Sequence, residues 1–349
     1  MVTMLDYIQE EQETLSTIIT KYRYQKNAKL TKAKHLLILA TGSSYNACLA
    51  AKVFFEKVSG TTVTIEEPYH FQHYGKLPEA VDGVIAVSQS GKSASTIDAL
   101  RNLQKRVRVQ IVLTSDATSP IAQLSDYVID LGMGIEQVGF VTKGYVATVL
   151  QLMLLGMTIG ASKDKLTEAE VNDYQMQLQH LVAHIPTVIE NSQLFFEKNE
   201  AIFRLTTRFI GIGYGSNWGT VKEFETKFTE TIRKPSSGFE LEAYMHGPYL
   251  EADAEHLLFF VENNSVNAQR SRKLREYMSQ YVGHTMTITT EEVSDEQTLS
   301  LNIEIDESLT PLILVIPFQL FAYQTATAKG IDLSRRIFDD FDQVLKSKV

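Results

Sequence analysis

The chain predicts an α/β fold of two tandem units, each a doubly wound, mostly parallel sheet flanked by helices. Three observations carry that reading. Apolar runs at residues 35–40, 83–87 and 110–116 alternate with segments of helical periodicity, the pattern of parallel strands buried on both faces. Two of those runs end in polar turns, Thr41-Gly42-Ser43-Ser44-Tyr45-Asn46 and Ser88-Gln89-Ser90-Gly91-Lys92-Ser93. Such turns lie where doubly wound sheets bind ligands, at the carboxyl ends of strands. The order then repeats: residues 209–213 precede Tyr214-Gly215-Ser216-Asn217, and residues 256–261 precede Glu262-Asn263-Asn264-Ser265. The chain reads as a duplicated unit.

Taken in order, residues 1–30 read as an amphipathic helix laid across the outside of the first unit. The first unit, residues 31–162, offers strands at 35–40, 63–66, 83–87, 110–116 and 127–130. Helices are predicted over 47–57, from 69 to 74, from 94 with Ile97 and Leu100 as its apolar stripe, over 121–124 after the Ser119-Pro120 turn, and from Lys143 to about 160. Residues 163–199 form a charged helical connector without Pro/Gly-rich character, which predicts packed helices and not a tether. The second unit, 200–330, offers strands at 209–213, 256–261, 285–288 and 312–316, a long helix after Asn217 and a closing helix over 318–329. Residues 331–349 are a tail.

With 44% hydrophobic and 21% charged residues the 349-residue chain is globular in composition and long enough for two cores. A net charge of -9 argues against nucleic acid, whose phosphates need a basic face. The single Cys48 allows no internal disulfide and no Cys-based zinc site, and it sits on an apolar stripe as core. The start shows no basic segment followed by an apolar one, and no run of 18 apolar residues is found, so a cytoplasmic protein without membrane contact is expected.

The chemistry centres on Ser88–Ser93. The first-turn N–H groups of the following helix lack intrahelical partners and carry the positive end of its dipole. Three hydroxyls add donors, and Gly91 lets the backbone approach a ligand, which suits a phosphate. Two other readings compete. The serines could simply cap the helix. The stretch from Ala86 also fits a relaxed Walker A pattern, but with Ala in place of the first Gly, and the wide cradle of a P-loop depends on that glycine. In the second unit Glu223, Lys227 and Glu230 fall on one helix face, where Glu223 and Lys227 taken alone read as a solvated ion pair. His246-Gly247-Pro248 predicts extended backbone at Gly247 and an imidazole at a loop edge, although a lone loop histidine is as readily structural. A carboxylate and an imidazole with a phosphate loop are what proton transfer on a sugar phosphate requires.

These motifs resemble the sugar isomerase (SIS) superfamily, specifically the double-SIS isomerase half of glucosamine-6-phosphate synthase and the related fructosamine-6-phosphate deglycases. The resemblance runs from about residue 30 to the end. Thr41-Gly42-Ser43-Ser44-Tyr45-Asn46 resembles the family's Cys-Gly-Thr-Ser-Tyr segment, and Ser88-Gln89-Ser90-Gly91 its phosphate loop with Ser93 at the usual Thr. Glu136 with Thr142-Lys143 resembles the Glu-Ile-Gly-Val-Ala-Ser-Thr-Lys segment, and Leu345-Lys346-Ser347 the lysine-containing tail that closes over the sugar.

The resemblance implies two tandem SIS domains and one site per chain. Ser43, Ser44, Ser88, Gln89, Ser90 and Ser93 would hold a 6-phosphate, with Gly42, Gly139 and Glu223 also contacting substrate. Glu230 would move protons at C1 and C2 of the open-chain sugar, His246 would open the ring or act as general acid from a neighbouring subunit, and Lys227 and Lys346 would assist. It implies a homodimer acting on a small sugar 6-phosphate, with no cofactor and no metal. Departures set the expected reaction. The sequence shows no glutaminase domain or N-terminal catalytic cysteine, Val141 replaces a serine near the sugar, and residues 238–245 differ from the synthase. The expected activity is therefore glutamine-independent cleavage of a 6-phosphorylated fructosamine or glucosylamine. An aldose–ketose isomerase or amino-sugar deaminase is the alternative on the same scaffold. A non-catalytic sugar-phosphate sensor is the alternative of another class, against which stands the lack of a basic helix-turn-helix in residues 1–30.

Overall fold

The computed structural model describes residues 2–125, 127–338 and 340–349. Its contacts divide the chain into two compact units. One takes Glu13–Gln137, Lys143–Met176 and Arg335–Val349; the other takes the residues up to Gln12 together with Val138–Thr142 and Gln177–Ser334. The chain opens with two helices, α1 (Met4–Gln9) and α2 (Glu11–Lys21), where the sequence pattern suggests one helix through residue 30. A capping box between Thr3 and Asp6 starts α1. Leu15, Ile18 and Ile19 of α2 are buried, so this helix is part of a core and not an outer strap.

The first unit is built on β1 (His35–Leu39), β2 (Thr62–Glu66), β3 (Gly83–Val87), β4 (Val109–Thr114) and β5 (Val128–Asp130). All pair in parallel in the order β2-β1-β3-β4-β5. Every residue of β3 is buried, as a continuous apolar run in a central parallel strand requires. The crossovers are α3 (Ser43–Ser59), α4 (Pro68–Tyr74) and α5 (Ala94–Leu103), followed by α6 (Lys143–Ser162). Strands β1 and β3 are neighbours whose chains leave in opposite directions along the sheet, so their carboxyl ends form the switch point of the fold. Helix α6 packs on α3 and is buried almost throughout. Neither α6 nor the Glu307–Ala328 stretch is an unbroken apolar run, but by length and mean hydropathy each could cross a membrane. Yet 94% and 89% of their apolar windows are buried inside the protein, as in core helices.

Helix α7 (Glu168–Ala183) runs from the first unit into the second, and α8 (Ile185–Leu205) belongs to the second. There the sheet takes β6 (Arg208–Gly213), β7 (Ser236–Glu240), β8 (His256–Glu262), β9 (His284–Thr289) and β10 (Thr298–Ser300) in the order β10-β9-β8-β6-β7, again all parallel. In chain order this repeats the first sheet. The helices are α9 (Asn217–Ile232), α10 (Leu241–Met245), α11 (Ala268–Met278), α12 (Pro311–Leu314) and α13 (Ile316–Ala328), and α1 packs on α13.

One predicted strand is wrong. Residues 312–316 are helical, because Pro311 opens a buried helix and a short apolar run has no periodicity to separate that from a buried strand. The fifth strand is β10, and β7 escapes a pattern search because Ser236-Ser237-Gly238 carries no apolar alternation. Helix α9 lies between the sheet and α13, so Phe224 and Phe228 pack with Phe259 and Phe318 at ring-centroid distances of 4.3 to 6.4 Å. Helix α14 (Phe341–Leu345) lies in the tail, which belongs to the first unit.

Candidate active site

At the switch point of the first unit, Gly42 ends the turn after β1 with φ +59° and ψ −137°, so that Ser43 and Ser44 open α3 and lie in its first turn. Helix α3 thus starts four residues before the expected Ala47. Across the switch point, Ser88 follows β3, and Ser93 stands at the N-cap of α5. Ser93 makes no side-chain cap bond; its Oγ accepts from Thr96 Oγ1 at 3.0 Å. Simple helix capping therefore does not explain the serines. Among the described residues the hydroxyls of Ser43, Ser44 and Ser88 form no hydrogen bond, while Ser90 Oγ accepts the Lys92 N–H at 3.3 Å. Gly91 has φ +67°, and a Cβ there would lie 2.1 Å from Ser119 Oγ, so glycine alone fits the bend. The loop is braced from β4: the Gln89 carbonyl accepts from Ser115 N–H at 2.9 Å, Ser115 Oγ at 2.7 Å and Thr114 Oγ1 at 3.2 Å.

Three residues that sequence reasoning left without a role belong to this region. Glu136 Oε2 accepts from Gln89 Nε2 at 3.3 Å and from the Gly144 N–H at 3.0 Å. Glu67 follows β2 with an exposed side chain, and desolvation by the surrounding protein raises its carboxyl above the ordinary value while the Thr41 hydroxyl opposes the shift. Asp342 in the tail gathers Ser347 Oγ at 2.7 Å, Arg336 Nη2 at 3.1 Å and Lys348 Nζ at 3.2 Å, and these bonds, Ser347's first, lower its carboxyl. Glu136 lies in a segment that the family resemblance marks without giving it a role, and no motif marks Glu67 or Asp342.

The tail reaches the serine loop. Ser347 O accepts the Ala94 N–H at 3.2 Å, Lys92 O accepts the Val349 N–H at 3.0 Å, and Ser93 and Lys348 form an antiparallel bridge. Lys346 has φ +51° and is exposed, at the turn between α14 and this bridge. Gly139 lies in an exposed segment before α6, with nothing within 4 Å of the position a Cβ would take.

In the second unit the acidic helix face is not solvated, which corrects the reading of Glu223 and Lys227 as a surface pair. Both are fully buried because this face of α9 turns inward. Lys227 Nζ lies 2.6 Å from Glu230 Oε2 and 3.5 Å from Glu223 Oε1, and Glu230 keeps 37% of its side-chain surface exposed. A buried ammonium thus bridges one sealed carboxylate and one that reaches solvent. His246 is not part of this cluster. It follows α10 with its side chain 79% exposed, and its polar neighbour is Glu242 Oε2 at 3.8 Å. Gly247 is not extended either: φ 132° and ψ −54° make a bend open to glycine, which outweighs the preference imposed by Pro248.

The switch point, both serine turns and the first parallel sheet fall within residues 29–160, the stretch that matches the SIS domain family. The chain is 25% identical over 326 residues to the glutamine–fructose-6-phosphate aminotransferase (isomerizing) of Acinetobacter baylyi, covering 88% of this chain and 52% of that protein. The chain thus spans about half the length of the curated relatives it matches. A Clostridium difficile structure provisionally assigned as a phosphosugar isomerase superposes with a TM-score of 0.90 at 23% identity, covering 99% of this chain and 98% of that one. The C-terminal domain of the glucosamine-fructose-6-phosphate aminotransferase of Francisella tularensis superposes with a TM-score of 0.85 at 23% identity, covering 94% and 96%. These structures share the fold of the whole chain.

Proposed function

We propose that this chain is a double-SIS enzyme that cleaves a 6-phosphorylated fructosamine or glucosylamine to a hexose 6-phosphate and an amine. The observation that carries the sugar-phosphate reading is the SIS switch point. Hydroxyls of Ser43, Ser44 and Ser88 without hydrogen-bond partners among the described residues stand there with the N-termini of α3 and α5. A phosphoryl group is the ligand that oriented N–H groups and hydroxyls of this kind bind.

The proton chemistry is assigned to Glu230, the carboxylate of the α9 cluster that reaches solvent and that Lys227 holds in place. It would take the proton from C1 of the open-chain ketosamine while the C2 carbonyl oxygen gains one from solvent, giving an enaminol, and then return a proton at C2. Water then adds to the resulting imine, the C–N bond breaks, and the amine leaves with the proton that water supplied. The exposure of His246 supports its donation to the site of a second copy of the chain, in a homodimer. The test is incubation of the pure protein with a panel of 6-phosphorylated fructosamines and amino sugars. Release of an amine from a fructosamine supports the deglycase. Interconversion of hexose phosphates alone marks an isomerase, ammonia from an amino sugar marks a deaminase, and tight binding without turnover marks a sensor.

A further inference from the structure

The side chain of Gln89 is committed in a way that changes what it can recognise. Its amide nitrogen lies 3.3 Å from Glu136 Oε2 and 3.4 Å from Met133 Sδ. That Glu136 oxygen already accepts the Gly144 N–H, and a thioether sulfur has no hydrogen to give. Chemistry therefore puts the nitrogen, not the oxygen, of the amide on this side. A primary amide has two N–H bonds, and these two contacts use both. Gly144 completes the lock, since a Cβ there would lie 2.3 Å from Nε2 and 2.7 Å from Oε1 of Gln89. The Gln89 backbone is fixed as well, through its carbonyl on Ser115 and Thr114.

What remains for a ligand is Gln89 Oε1, which takes no hydrogen bond among the described residues. A carbonyl oxygen only accepts, and a phosphate dianion has no hydrogen to offer it. Brought against phosphate, the two would repel. We infer that the Gln89 side chain reads a hydroxyl of the phosphorylated carbohydrate and not its phosphate, and that Glu136 is the positioning residue that fixes the amide for this. The phosphate is left to the serine hydroxyls and to loop N–H groups. The inference rests on the sugar-phosphate reading above and adds to it the residue that separates a phosphorylated polyol from other phosphates.

Calorimetric titration with inorganic phosphate and with fructose 6-phosphate tests it on the full chain. Gln89→Met keeps the packing volume and removes the acceptor. It should weaken fructose 6-phosphate about tenfold, the size of one hydrogen bond, and leave inorganic phosphate within about twofold. Gly144→Ala should do the same without touching Gln89, because alanine suits a helix and the flexible glutamine is what yields. Glu136→Ala should share the effect, and Glu136→Gln should restore selectivity, its carbonyl taking the place of Oε2. Equal losses for both ligands in Gln89→Met and Gly144→Ala would make the side chain a phosphate donor. No loss for either ligand would leave it without a role; both results overturn the inference alone. A wild-type chain that binds neither ligand would instead overturn the sugar-phosphate reading.

Discussion

At the scale of single residues, the buried Lys227 decides the behaviour of two carboxylates. An ammonium without solvent is tolerated only where charge surrounds it, and removing one partner leaves the others exposed to the full cost of burial. Lys227→Met should therefore destabilise the protein by about 3–5 kcal/mol in denaturant unfolding, and adding Glu223→Leu should recover much of that loss. Recovery failing to appear would mean that Glu223 is held by other groups. For Glu230, the Gln variant keeps shape and removes the proton carrier. Turnover should fall by about two orders of magnitude or more while ligand affinity stays within several-fold. Near-normal turnover would take Glu230 out of the reaction.

Glu262 gives a pH-dependent counterpart. Burial raises its carboxyl above the ordinary 4.5, Arg275, Ser271 and Arg272 oppose the shift, and Glu291 adds to it. The folded chain thus holds this proton more tightly than the unfolded chain. That stabilisation is complete below the ordinary carboxyl value and is lost as pH rises through the raised one. Glu262→Gln carries no such charge, so the gap in melting temperature between variant and wild type should move in the variant's favour between pH 4 and 7. A gap that moves the other way would show that the arginines dominate.

At the scale of elements, the serine loop depends on a bend and on the tail. Gly91→Ala meets both a positive φ and the Ser119 hydroxyl, so it should shift the loop and weaken inorganic phosphate binding more than it lowers the melting temperature. Unchanged phosphate affinity would show that the bend is not part of the binding loop. The sequence reads these elements well where period and turn chemistry agree. Strand β3, its serines and the N-terminus of α5 are all legible, because a buried apolar run ending in small polar residues has few other uses. It misplaces residues 312–316, where an apolar run of strand length is buried in a helix. It also misses β7, whose Ser236-Ser237-Gly238 is held by register with β6 and not by its own propensity.

At the scale of the whole molecule, the proposed reaction draws on a second copy of the chain. The His246 side chain, 79% exposed, is open to a second copy of the chain, the partner that the proposed reaction invokes. Mixing Glu230→Gln chains with His246→Asn chains should regain part of the activity that each lacks alone, because some mixed dimers would hold one intact site. Mixed dimers without any gain would place both residues in the same chain's site.

By itself the sequence determined the doubled α/β order, the serine turns at the strand ends and the residue types of the chemistry. Those features are written in local period and turn composition, which act over a few residues. Only the tertiary structure decided that Glu223 and Lys227 are buried, since the inward face of α9 is set by the sheet and α13. It also decided that α1 joins the unit of the second sheet. The same holds for the tail on Ser93 and for the turn of the Gln89 amide toward Glu136. Each of these depends on which distant residue packs against a given side chain, and a chain's local preferences do not encode that.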